Sequence, residues 1–418
     1  MTSEVKPKIL LYSDCPVFGG ADILAATLLK NEGLQARFDL RFVYRMNPAF
    51  SAGVARRIPP SIPAIPVGLP DRLDWIDALE RRVESHFVRN ACKLAFRIVE
   101  PALFLFDILV LWRVFARERP ALIHVNNGGY PGALGCRAAA IAGRLAGVPT
   151  VFVVHSEALA LRPWEAFDRL VVDPWVGRSI DVVVTASQIA QNFLRARRFP
   201  HARMELIPDG VAAPAALRPA AEVRRELGLR DDEVVFVKLA FFEPRKGHAV
   251  LVEAMRQLAA AGAPSFRLVF IGDGPEKEAV ERACRENGLS PRCLFLGYRG
   301  DASDIVNACD GLILSSVASE DMPLAILDAM ALGKPVIASR LAGIPEEVAD
   351  EKTGLLFEPG NAAQLAAAIS RLLESAELRR EMGREGRRRF LERFEAGIVC
   401  GRYGELYQGV IAATRRLI

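Results

Sequence analysis

The sequence predicts an α/β protein with two parallel sheets in series, each covered by helices on both faces. Three observations lead there. Short β-branched and aliphatic runs alternate with longer helical patterns, as in buried parallel strands joined by crossover helices. The alternation occurs twice, once on either side of an irregular stretch rich in Pro and Ala. The 418 residues are 51% apolar and 25% charged, a globular balance, and at ~100–200 residues per domain they suit two domains.

In the first half the strand candidates are Lys8–Tyr12, Arg37–Tyr44, Ala121–Val125, Thr150–Val154, Asp181–Thr185 and Arg203–Ile207. Five prolines, at 59, 60, 63, 66 and 70, mark an irregular stretch where a long loop is expected. Asp71 to Arg119 is helical by pattern, and Pro101 is expected to start, kink or break the helix that contains it. Pro208 to Ala221 has prolines at 208, 214 and 219 and no period, and reads as the interdomain linker. The second half offers Val234–Leu239, Arg267–Ile271, Cys293–Leu296, Gly311–Leu314, Pro335–Ala338 and Leu355–Phe357. From about Ala396 to Ile418 one amphipathic helix is expected, with Tyr403, Leu406, Tyr407 and Val410 on one face.

Composition excludes several classes. A net charge of +4 is too small for a nucleic-acid partner. Its distribution is uneven: residues 1–210 hold 26 Lys and Arg against 20 Asp and Glu, leaving 28 against 30 in the remainder. Seven scattered cysteines with no Cys-x-x-Cys pair imply a reducing compartment. The apolar run Ile9–Tyr12 is too short for a signal-peptide core, so a cytoplasmic protein is expected. The best membrane-span candidate, Ala95 to Ala116, carries Arg97, Glu100, Asp107 and Arg113 and does not span.

The segment from Ser319 to Gly333 follows a strand and opens a helix with Pro323 near its first position, which places free backbone N–H groups at the carboxyl edge of a sheet, an anion site. Glu320 precedes that helix; Asp328 falls inside it among apolar neighbours. Phe18-Gly19-Gly20-Ala21-Asp22 is a glycine turn after the first strand, where a phosphate or sugar can approach backbone N–H groups. Glu243-Pro244-Arg245-Lys246-Gly247-His248 follows the first strand of the second half, the general phosphate position of doubly wound folds. Gly272-Asp273-Gly274-Pro275-Glu276 lacks the third glycine of a dinucleotide fingerprint, since residue 277 is Lys, and reads as a nucleotide-side turn. Each feature also has a plain structural reading: a tight turn at Gly19-Gly20, a solvated basic turn at Lys246, a helix-start acid at Glu320. No Asp-x-Asp, metal-ligand set or Walker loop is present, and no cofactor or metal is called for.

Two acids separated by seven residues, Glu320 and Asp328, followed by Ala-Met-Ala-Leu-Gly-Lys-Pro-Val-Ile-Ala-Ser ending at Ser339, resemble the signature of the family 4 retaining glycosyltransferases. The resemblance implies two Rossmann-like domains facing across a cleft, the arrangement called GT-B, with the final helix crossing back onto the first domain. It divides the chain into an acceptor-side domain 1–210, a nucleotide-sugar domain 211–395 and the returning helix 396–418. By resemblance Glu320 touches the transferred sugar, Asp328 the ribose, Lys246 the donor diphosphate, and His155 the sugar from the first domain; Gly19, Gly20, Arg245, Gly274, Met322 and Leu324 complete the donor set. Asp328 stands where the family usually has Glu, Pro323 where it has Gly, Asp209 of Pro208-Asp209-Gly210 where it has Asn, and Phe241 where it has a second phosphate-binding Arg. Arg245 is expected to supply that lost charge. His124, ending an earlier strand, is expected to be core or edge.

The activity implied is metal-independent transfer of a hexose-type sugar from a UDP- or GDP-sugar to an acceptor hydroxyl, with retention, in cell-surface polysaccharide or glycolipid assembly. A nucleotide-sugar epimerase and a non-catalytic sugar-nucleotide-binding subunit remain as alternatives. The acceptor is a sugar or a lipid-linked sugar. The stretch Pro101 to Ala116 is apolar almost all round, which suits a buried helix. With Arg81, Arg82, Arg89 and Lys93 the alternative is a peripheral contact with an anionic membrane.

Overall fold

The computed structural model describes residues 5–16, 18–70, 85–156, 168–197 and 202–416, with 86–98 and 168–169 as backbone only. Arg81 and Arg82, and the start expected for a helix at Asp71, lie outside the described residues, as do the side chains of Arg89 and Lys93. The chain forms two compact units. One is Met1–Thr185, Gln191–Ile207 and Cys400–Ile418; the other is Ala186–Ala190 and Pro208–Val399.

The first unit holds a parallel sheet of β1 (Lys8–Ser13), β2 (Asp39–Arg45), β3 (Ala64–Val67), β4 (Leu122–Asn127), β5 (Thr150–Val154), β6 (Val182–Thr185) and β7 (Arg203–Leu206), in the order β3-β2-β1-β4-β5-β6-β7. Register follows from Ile9 opposite Leu40 on one side and Leu122 on the other. Strands β4 and β5 are buried at every position; β5 runs almost wholly apolar without alternation, whereas β4 also buries His124 and ends in the polar pair Asn126-Asn127.

The proline-rich stretch expected to be irregular contains β3. Pro66 is tolerated there because β3 is an edge strand whose carbonyls do the pairing: Phe42 N–H donates to Pro63 and Met46 N–H to Val67. The long helix His86–Glu118 neither starts nor breaks at Pro101 but runs through it. One missing N–H is offset by packing, since Phe104, Ile108, Leu111 and Phe115 are all buried. The opposite stripe of the same helix is not buried: Leu105, Phe106, Leu109 and Trp112 are exposed. Among the described residues no helix is long and apolar enough to cross a membrane.

From Cys400 the terminal helix Ala396–Arg415 belongs to the first unit. Tyr403, Leu406, Tyr407 and Val410, at helical spacing, are its buried stripe. Tyr407 Oη lies 2.7 Å from His124 Nδ1, and burial pushes the His124 imidazole down to about 3, so it sits in the core as a neutral ring.

The second unit is built on β8 (Val234–Leu239), β9 (Phe266–Ile271), β10 (Cys293–Phe295), β11 (Gly311–Leu314), β12 (Val336–Ser339) and β13 (Gly354–Phe357), in the order β10-β9-β8-β11-β12-β13. Side chains of β8 alternate between two cores, Val235 and Val237 on one face and Phe236 on the other. In both sheets the first and fourth strands are neighbours, with the chain winding outward in opposite directions from that pair. In open α/β sheets ligands gather beyond the carboxyl ends of the strands at this switch point.

Candidate active site

At the switch point of the second unit, β8 ends and the chain passes through Phe241 and Glu243 into a single 3₁₀ turn, Pro244–Lys246. Gly247 then opens the helix His248–Ala260 in the left-handed conformation, φ 62°. A β-carbon there would fall 1.8 Å from the Ser315 carbonyl oxygen, so glycine lets this turn lie directly against the end of β11. The Val317 N–H straps the same contact, donating to the Arg245 carbonyl at 2.8 Å.

That closeness brings the separate motifs together. Lys246 Nζ forms an ion pair with Glu320 Oε1, which also accepts from Ser316 Oγ at 2.7 Å. Arg245 stands beside the pair, its guanidinium 3.7 Å from Glu320 Oε1, donating to the Ser319 carbonyl at 2.8 Å and paired with Glu243 at 2.6 Å. Glu320 is buried and Lys246 nearly so, whereas Arg245 is half-exposed. Phe241, where the resemblance places an Arg, is 52% exposed and offers no donor.

After Glu320 the chain passes Met322, which is buried, and the helix Leu324–Ala331 begins behind Pro323 with no side-chain cap. Its first N–H groups therefore lack a capping acceptor, the condition for holding an anion. Asp328 lies one turn further along. Burial alone pushes its carboxyl up to about 6. Gly274 adjoins the cluster through the backbone: Phe242 N–H donates to Asp273 O at 2.8 Å, and a β-carbon on Gly274 would fall 2.5 Å from Phe242 O.

At the switch point of the first unit, Gly19 is the N-cap of the helix Gly20–Lys30 and donates its N–H to Asp22 Oδ2 at 3.0 Å. Asp22 Oδ1 accepts from Ser13 Oγ at 2.5 Å and from Asn126 Nδ2 at 3.3 Å. Asn126 Oδ1 in turn lies 2.8 Å from His155 Nε2, just past β5. Burial raises the Asp22 pKa, opposed by the Ser13 and Gly19 hydrogen bonds and by His155. His155 and Gly19 are thus joined through Asn126 and Asp22, and Gly20 follows as the first residue of the helix. Asn126 and Ser13 were not singled out in the sequence. A polar pair, Asn126-Asn127, ending an apolar strand before Gly128-Gly129 was the available signal.

The chain has relatives among known proteins, in sequence and in fold. Residues 220–389 match the family described as "Glycosyl transferases group 1", and residues 72–213 match "Glycosyltransferase Family 4". The 2-deoxystreptamine glucosyltransferase of Streptomyces kanamyceticus is 32% identical over 289 residues, 64% of this chain and 73% of that enzyme. The D-inositol 3-phosphate glycosyltransferase of Stackebrandtia nassauensis is 29% identical over 73% of both chains. Other relatives are matched over less of their length, 50% for the N-acetyl-alpha-D-glucosaminyl L-malate synthase of Bacillus anthracis. Among solved structures, Anabaena HepE in complex with UDP superposes with a TM-score of 0.76 at 20% identity, covering 96% of this chain and all of that one. The sucrose-phosphate synthase of Thermosynechococcus elongatus gives 0.72 at 22% identity, covering 98% and 100%. Two Rossmann-like domains, their switch-point motifs and these relatives lead to one conclusion: the chain belongs to the family 4 glycosyltransferases.

Proposed function

We propose that this glycosyltransferase moves a sugar from a nucleoside-diphosphate sugar to an acceptor hydroxyl with retention at the anomeric carbon, holding the donor in the second unit. The observation that carries this reading is the Lys246–Glu320 pair beside the uncapped helix Leu324–Ala331, at the switch point of a doubly wound sheet. Cleaving a glycosyl phosphate develops positive charge at the anomeric carbon and negative charge on the departing diphosphate. Lys246, Arg245 and the N–H groups after Pro323 stabilise the leaving charge as fixed cations and dipoles, without a divalent metal. Glu320, released from Lys246 as phosphate takes its place, orients the hydroxyls of the sugar. Asp328 accepts from the ribose. The leaving phosphate oxygen takes the acceptor's proton.

HepE structures with UDP and with UDP-glucose support a uridine donor, and enzymes named for 2-deoxystreptamine and inositol phosphate support a polyhydroxylated acceptor. The exposed stripe Leu105, Phe106, Leu109 and Trp112, in the half of the chain with the basic excess, supports reversible contact with an anionic bilayer carrying a lipid-linked acceptor. Co-sedimentation with phosphatidylserine vesicles at low salt, lost at high salt, is the expected result; no sedimentation at low salt removes the membrane reading.

The test of the donor reading is a thermal-shift screen against nucleoside diphosphates and their sugars, because a ligand bound only by the folded state raises apparent stability. Transfer is then followed with candidate acceptors in the presence of a chelator. A donor that binds and turns over only with an acceptor is expected. Turnover without acceptor that yields an epimeric sugar identifies an epimerase instead, and loss of activity with the chelator removes the metal-free mechanism.

A further inference from the structure

One charged side chain at the second switch point has no part in the chemistry above. Lys238 lies in β8 opposite Phe270 of β9 and is 1% exposed. A buried ammonium needs acceptors. Its Nζ donates to the Lys246 carbonyl at 2.8 Å and to Ser315 Oγ at 2.8 Å, and Ser315 Oγ donates onward to the Gly247 carbonyl at 2.8 Å. One cation beneath the site therefore ties the turn that carries Lys246 to the end of β11, from which the Glu320 loop departs.

Its electrostatic setting is unusual. Lys246 and Arg245 come from the turn, Glu320 from the loop after β11, and His248 from the helix that follows. Burial and the Lys246 charge push the Lys238 ammonium down to about 7, with Glu320 acting in the opposite direction. His248 is driven down to about 2 by burial and by both lysines, and is a neutral ring stacked on Phe242 at 4.2 Å.

We propose that Lys238 is a positioning residue of the donor site, a buried cation that clamps the Lys246 turn to β11 and becomes fully charged as an anionic diphosphate settles on Lys246. The proposal rests on the donor reading given above. A bound diphosphate replaces a repulsive field by an attractive one, so the complex holds the Lys238 proton more tightly than the free protein does. Donor binding then takes up a fraction of a proton, and affinity falls as pH rises. A rise of roughly two pH units in the Lys238 midpoint corresponds to a ~10-fold weaker donor at pH 8 than at pH 6, with about half a proton taken up at pH 7. Phe241 supplies no charge from the rim, and Lys238 supplies it from below.

The experiment is calorimetric titration of the full chain with UDP-glucose, GDP-mannose, ADP-glucose and dTDP-glucose, without acceptor, at pH 6, 7 and 8 in buffers of different ionisation heat. These pyrophosphate-diester donors keep a constant charge across that range, with both phosphates ionised, and release no proton themselves. Wild type is expected to lose ~10-fold in affinity between pH 6 and 8 with net proton uptake. Lys238→Met should bind more weakly at pH 6 and lose both the fall from pH 7 to 8 and the uptake; Lys238→Arg, charged throughout, should recover affinity without uptake. Asp328, titrating at about 6, is present in all three proteins and cancels in their differences. Wild-type affinity independent of pH with no uptake overturns the role of Lys238 alone, even if neither variant folds. So does a folded Lys238→Met protein with an unchanged profile. Wild type that binds none of the four donors overturns the donor reading and this proposal with it.

Discussion

Replacing Gly247 by Ala tests whether the phosphate turn is held by close approach or merely tolerated. Two costs are expected. The left-handed φ of 62° disfavours any residue with a β-carbon by about 1–2 kcal/mol. The added carbon also falls 1.8 Å from the Ser315 oxygen and 2.9 Å from its carbonyl carbon, so backbone on one side must move, at about 1–3 kcal/mol. Gly262, just past the far end of the same helix, separates the two terms: its φ is 71°, but a β-carbon there meets nothing within 4 Å. Gly262→Ala should show only the conformational cost. For a unit of roughly 200 residues the extra cost at Gly247 is an additional ~2–12 °C in the unfolding midpoint. Because Ser315 also anchors Lys238, a shift there should weaken nucleotide binding, whereas Gly262→Ala should leave it alone. Circular dichroism melts with calorimetric titration of UDP measure both. Equal melting points and equal affinities in the two variants would refute the close-packing argument.

Glu320→Gln should leave the fold intact and lower turnover ~10²-fold, as for loss of an orienting contact, while the free nucleoside diphosphate binds no more weakly because Lys246 is freed. Near-normal rates would return Glu320 to a structural role. Tyr407→Phe should destabilise the first unit by about 1–3 kcal/mol, since it leaves the buried His124 Nδ1 without its partner; urea titration reads this, and an unchanged midpoint counts against it. Asp328→Asn concerns pH. Burial raises the folded pKa to about 6, so the folded state binds more protons than the unfolded one, and Asp328 costs stability as pH rises from about 4 to 6. The variant should therefore gain on wild type at pH 7.5 but not at pH 4, and a difference independent of pH would remove this account.

Strands and motif positions were largely legible in the sequence because continuous burial writes them plainly: β5, β8 and β11 have the bounds their apolar runs predict. Strand β3 was hidden because an edge strand needs only one set of hydrogen bonds and therefore tolerates the prolines that argue against a strand. At Pro101 local propensity left a start, a kink and a break open, and the helix continues through it with Phe104 and Leu111 packed in the core. At the site, Glu320, Lys246 and Arg245 could be named from spacing, but their mutual pairing depends on Gly247 lying against Ser315, a contact between residues 68 apart in sequence. Lys238 was in plain view as the one charge in an otherwise apolar strand. Nothing local indicated that its acceptors are a carbonyl eight residues on and a hydroxyl 77 residues on.

The terminal helix has a consequence for biosynthesis. Tyr403 and Tyr407 fill the first unit's core beside His124, yet the ribosome adds them after every residue of the second unit. At roughly 5–20 residues per second, the interval between Ile207 and Cys400 is on the order of 10–40 s. Throughout that time the nascent first unit lacks these two tyrosines, and the His124 imidazole lacks its phenol partner. The unit synthesised first is thus the last to be completed, and the nascent sheet is exposed to chaperones and to other nascent chains for as long as translation continues.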